Sequence, residues 1–207
     1  MPILQRDAPT SPPLGHQPVR ALFIKRWGVL LEPAEPTAEL EFAPALCSPG
    51  AVDALYRARQ AGWLLYLIGN EESVARGSVS DERWAAFESA LLAHLSGRGA
   101  SVCRSYACLD HPEGKGPHQR RSVFQLPDTG VFYHASQHDG VALGESWVVG
   151  DTTLDLAGGE RAGCKVAAVR TGMALRDREL DVEPALWGER LCDVVDALAI
   201  ALRRAAG

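Results

Sequence analysis

Residues Ser146-Trp147-Val148-Val149-Gly150-Asp151 form an apolar run that ends in Gly-Asp, and Asp155 follows four positions later. A carboxylate at the carboxyl end of a buried strand is placed to hold a hard cation such as magnesium through oxygen. The second acid can orient the first or cap the helix that follows. The same pattern also suits a metal-free strand–turn–helix with an ordinary cap. Cys103, Cys108, His111 and His118 supply donors of the zinc type within one stretch. Their spacing makes a zinc site geometrically conceivable, but a loop without zinc is the expectation. His134 and His138, at i,i+4, read as solvated histidines rather than metal ligands.

These groups need a scaffold, and the chain offers one. Continuous apolar runs at 21–24, 64–68, 146–149 and 166–169 predict strands covered on both faces, with a weaker strand at 102–107. Helices are expected between them. One follows Ser48-Pro49 and stops at Gly62; another follows Ser80, with Asp81 and Glu82 in its first turn, and runs to Gly97 and Gly99. A third covers 154–162 before Gly163, and the last spans 186–205. Strand–helix alternation predicts a doubly wound, Rossmann-like, mostly parallel sheet in three α/β/α layers, whose ligands sit at the carboxyl ends of the strands. No internal repeat or second domain is visible.

Several landmarks in this order resemble one family. Trp147 to Gly172, with Gly150-Asp151 and Val169-Arg170-Thr171-Gly172, resembles the last motif region of haloacid-dehalogenase-superfamily phosphatases. The likeness is to the heptose 1,7-bisphosphate and histidinol-phosphate phosphatase subgroup. Pro49-Gly50-Ala51-Val52-Asp53-Ala54-Leu55 resembles its first helix, and Asn70 with Val74-Ala75-Arg76-Gly77 its second-strand loop. Pro127 and Gly130 resemble its third motif region, and no large cap domain is expected. In that family an Asp at the first strand's end attacks phosphorus, and an Asp two residues on moves the proton. A Thr or Ser and a Lys hold the phosphate, and magnesium bridges the nucleophile and the late Asp.

On that alignment the chemistry has been exchanged. Lys25 stands at the nucleophile position, Trp27 at the acid/base position, Gly69 at the Thr position and Leu126 at the phosphate-holding Lys. Asp151 and Asp155 remain as a vestigial magnesium site, expected to hold no metal. Lys25 is expected within salt-bridge distance of Asp151, because two carboxylates at a partly buried strand end repel without a cation. Asn70 and Arg76 are candidates for contact with an anionic ligand, Arg76 reading equally well as a helix-entry charge. Where the subgroup carries a zinc loop, Cys108 keeps the first ligand position but Asp110, Ser122 and Phe124 occupy the others, so zinc is not expected.

The resulting expectation is a phosphatase fold that does not hydrolyse, acting as a binding, regulatory or partner subunit. The alternative is a divergent magnesium-dependent sugar-phosphate phosphohydrolase, or an enzyme using a Lys25 of lowered pKa. Partners are expected among sugar phosphates, other proteins or a second copy of the chain. Net charge is −5 and basic residues are scattered, which argues against nucleic acid. No apolar run in the 207 residues reaches a membrane span. An odd set of five cysteines and no signal-like start point to the cytoplasm. Residues 1–18, rich in proline, read as a flexible leader before one domain over 19–207.

Overall fold

In a computed structural model the described residues are 18–32, 36 and 38–205, with side chains through residue 201. All but the last residue of the proline-rich leader lies outside them. Six parallel strands form one sheet: β1 (Ala21–Lys25), β2 (Leu64–Asn70), β3 (Arg104–Cys108), β4 (Trp147–Gly150), β5 (Lys165–Val169) and β6 (Leu186–Gly188). Their order is β3-β2-β1-β4-β5-β6. The chain therefore reverses direction across the sheet between β1 and β4, the switch point at which sheets of this kind bind ligands.

Alternation along each strand explains the two-sided core. Leu22 and Ile24 of β1 join Leu65 and Leu67 of β2 on one face, whereas Ala21, Phe23, Tyr66 and Ile68 point to the other. The first face is covered by α1 (Ala51–Gln60), α3 (Asp81–Gly97) and α6 (Leu191–Ala205), through residues such as Leu55, Phe87 and Val194. The second is covered by α4 (Gly130–Asp139) and α5 (Thr153–Arg161), through Phe132 and Leu156. A short α2 (Glu72–Ala75) follows β2. Local signals act as expected: Ser80 accepts from the Arg83 N–H at the start of α3, and Thr152 with Asp155 forms a reciprocal capping box on α5.

One boundary differs. The stretch from residue 186 was expected to open the last helix, but Leu186–Gly188 pairs in parallel with β5 as the edge strand, and the helix begins at Leu191. Apolar Leu186 and Trp187 suit either element, and pairing with Ala167 and Ala168 decides for the strand. Among the described residues no helix is long and apolar enough to cross a membrane.

Candidate functional site

Register brings the chemistry together at the switch point. Ile24 of β1 lies beside Val149 of β4, so Lys25 and Asp151 leave adjacent strand tips on the same side of the molecule. Lys25 Nζ sits 3.1 Å from Asp151 Oδ1, 2.9 Å from Asp155 Oδ2 and 3.3 Å from Thr152 Oγ1. The pairing expected between Lys25 and Asp151 is therefore present. Three oxygens surround the ammonium, and of these the Thr152 hydroxyl accepts a hydrogen bond from it. Asp155 Oδ2 also accepts from the Thr152 hydroxyl at 2.5 Å, and Asp151 Oδ2 from the Met173 N–H at 2.7 Å. Asp151 is only 1% exposed.

Burial works against the charge on Lys25, but Asp155 and then Asp151 outweigh it, and the amine is held above the ordinary lysine value. Burial pushes the Asp151 carboxyl up, and Lys25 pulls it back. With a cation at 3.1 Å we take the pair as ionised near neutral pH. A base or nucleophile of lowered pKa at Lys25 is thus opposed by the geometry. The raised lysine makes its stabilising contribution fully below about pH 10.4 and loses it as pH rises through the folded value. Asp151, also raised, acts in the acid range: its contribution is present below about pH 4 and is lost above it. The stability difference between the native chain and Lys25→Met, followed by urea unfolding, is therefore expected to stay flat from pH 6 to about 10 and shrink beyond. A difference that instead grew steadily from about pH 7 to 10 would reveal an amine of lowered pKa.

Around this pair, the residues expected at a phosphate cradle are packed against other side chains and the backbone. Trp27 is 4% exposed; its indole N–H donates to Glu71 Oε2 at 2.9 Å and its ring stacks on Phe87 at 5.3 Å. Arg26, 0% exposed, pairs with Glu71, reaches Glu88 at 3.1 Å and Ser105 Oγ at 2.5 Å, and lies over Trp84 at 5.0 Å. A Cβ added at Gly69 would stand 3.0 Å from Glu71 Oε1 and 3.3 Å from Arg26 Nη1, so glycine makes room for that ion pair. Leu126 is buried in the core on the α4 and α5 face. Asn70 uses both ends of its amide on the Leu126 backbone, at 2.8 and 2.9 Å. Arg76 is exposed and pairs with Glu72 and Glu113.

The Arg26–Glu71–Glu88 network went unread in the sequence. Its signal was a charged residue inside an apolar strand tip and an acid directly after the second strand, which needed each other to be buried.

The thiols and imidazoles considered for zinc do not assemble. Among the described residues, no three His, Cys, Asp or Glu side chains are placed to hold a metal ion. Cys103 is exposed ahead of β3, whereas Cys108 is buried with its Sγ 3.5 Å from the Asp110 carbonyl. His111 accepts from the Glu113 N–H. His118 bonds Asp81 at 2.8 Å and faces Asp110 at 3.5 Å, while Arg120 holds Asp110 from the other side at 2.9 Å. A cavity of about 280 Å³ opens between this ion-paired loop and β3. His138 is exposed as expected. His134 is not simply solvated: its Nδ1 lies 2.9 Å from the Tyr106 hydroxyl, and the two imidazoles stack at 4.2 Å.

Comparison with known proteins shows what the chain resembles. Residues 125–198 match a family described as HAD-hydrolase-like. The chain is 31% identical over 128 residues to D-glycero-beta-D-manno-heptose-1,7-bisphosphate 7-phosphatase of Haemophilus ducreyi, covering 61% of this chain and 70% of that protein. It is 30% identical over 162 residues to the D-glycero-alpha-D-manno-heptose-1,7-bisphosphate 7-phosphatase of Burkholderia mallei, covering 77% and 82%. Among solved structures, it is similar to D,D-heptose 1,7-bisphosphate phosphatase from B. bronchiseptica, in complex with magnesium and phosphate. That likeness has a TM-score of 0.75 and 22% identity, covering 88% of this chain and 99% of that one.

Proposed function

We infer that this chain, which belongs to the heptose-bisphosphate phosphatase family of haloacid-dehalogenase-like proteins, carries their fold without their hydrolytic step and serves as a binding or regulatory subunit. One observation carries the reading. The first strand ends in Lys25, Arg26 and Trp27, with no carboxylate to attack phosphorus and none to move the leaving group's proton. An amine held by two acids makes no acyl-phosphate, and a buried indole does not exchange protons near neutral pH.

Magnesium accompanies phosphate in the B. bronchiseptica enzyme. The residues here do not fit it. The oxygens that would be ligands face an ammonium at 3.1 and 2.9 Å, and a second cation there would be repelled. No cofactor enters the reading. Trp27, Leu126 and the Arg26–Glu71 pair are buried and already partnered beside the strand tips, which favours a protein partner or a second copy of the chain over a sugar phosphate. Free cysteines at all five positions fit a reducing compartment such as the cytoplasm.

The second reading is a divergent magnesium-dependent sugar-phosphate phosphohydrolase. The comparisons back it more directly than the first, since the named relatives are phosphatases. The two part on a simple assay. A panel of sugar phosphates, with and without millimolar magnesium, is expected to show turnover at least about ten-thousandfold below that of an intact catalytic unit. Robust hydrolysis abolished by Asp151→Ala, or a phosphoryl group trapped covalently on the chain, would establish the second reading.

A further inference from the structure

We propose that the Lys25 ammonium is a built-in cation standing in for a divalent metal at the Asp151–Asp155 carboxylates, and that removing it opens a hard-cation site. The proposal deepens the non-hydrolytic reading and rests on the same strand-tip alignment.

Two buried carboxylates on one short turn, Asp151 and Asp155, need a positive charge between them. The parallel register of β1 with β2 and β4 delivers one on a tether, so no ion has to be captured from solution. The seat is made of hard oxygens: Asp151 Oδ1, Asp155 Oδ2 and the Thr152 hydroxyl all meet the ammonium. This donor set is the type that magnesium, manganese and calcium take. Asp151 Oδ1 has no aligned hydrogen-bond donor and faces only the Lys25 charge. Its other oxygen, fixed by the Met173 N–H, keeps the carboxylate in place when the lysine is gone. A metal entering the native seat must displace a tethered cation and then lie against it.

The test compares the native chain with Lys25→Asp and with Lys25→Gln, which keeps a similar length without charge. Free manganese is followed by its paramagnetic resonance, and melting is recorded in chelator and in millimolar magnesium. The native chain is expected to melt alike in both and to leave manganese free. Lys25→Asp is expected to bind manganese at least about tenfold more tightly and to regain stability with magnesium. Adding Asp151→Asn should abolish both gains. Lys25→Gln is expected to show the same gains, smaller in size.

Manganese binding by the native chain that Asp151→Asn removes would overturn the proposal. So would folded Lys25 variants that ignore metal, or variants that stay unfolded even with magnesium, since the metal is expected to replace the missing charge. Native metal binding without turnover would sink this inference alone. Metal-independent turnover of a phosphate ester would sink the non-hydrolytic reading alone.

Discussion

Replacing Glu71 by leucine is expected to destabilise the chain by about 3–5 kcal/mol, because it leaves a buried guanidinium with too few partners. Arg26 is fully buried, and Glu71 is its one wholly buried counter-ion. Burial, with a smaller push from the Glu88 charge, drives the Glu71 carboxyl up, and Arg26 is the first influence that pulls it back, followed by the Trp27 N–H. Without Glu71, Arg26 keeps Glu88 and Ser105, its Nε still lacks a partner, and the Trp27 N–H loses its acceptor. Arg26→Met alone should cost a similar amount, since it strands Glu71.

The double replacement is the informative one. Exchanging both members for apolar residues removes two desolvation penalties together with their attraction, so it is expected to recover most of the loss. Urea unfolding followed by tryptophan fluorescence measures all three variants, with Trp27 and Trp84 in contact with the network. A single-variant loss below about 1 kcal/mol would mean that water reaches Arg26. The result also bears on function. A network of this weight between β1, the turn after β2 and α3 holds closed the space beside Gly69.

Gly172→Ala is expected to cost about 2–5 kcal/mol, from two sources. Gly172 has φ +61°, a left-handed conformation that costs an L-residue roughly 1–2 kcal/mol. Its added Cβ would also land on the Asp151 carboxylate and come 2.8 Å from the Gly28 Cα, an overpacking worth roughly 1–3 kcal/mol. Gly28, at φ +82°, lies against the same Asp151 carboxylate oxygen, where an added Cβ would also collide. Gly62 is the control. It is also left-handed, at φ +85°, but a Cβ there meets nothing within 4 Å. Gly62→Ala should lose the conformational part only. Equal losses at the two positions, measured by urea unfolding, would show that the backbone around Asp151 yields and that its carboxylate is not tightly held.

Much of the site was legible because its signals are local. Asp151 at the end of an apolar strand and Asp155 at the start of a helix are four residues apart, and a capping box needs nothing more distant. The Lys25–Asp151 contact spans 126 positions, yet it followed from two strand ends meeting at a switch point and from the repulsion two bare acids would suffer. Asn70 shows the limit. Its amide invited a ligand, and the fold turned it to the Leu126 backbone, whose position no local pattern encodes.

From its residues alone, the chain determined an α/β doubly wound sheet, the elements that flank the strand tips, and the amine and indole that stand at the end of the first strand. Hydrophobic period, caps and side-chain chemistry are properties of contiguous residues, so they can be read in one dimension. Only the tertiary structure decided that Leu186–Gly188 closes the sheet as a sixth strand, that Arg26 is buried between Glu71 and Glu88, and that two glycines pack against Asp151. Each of those depends on which distant surfaces exclude water together, and buried charges and edge strands find their partners only once packing has brought them within reach.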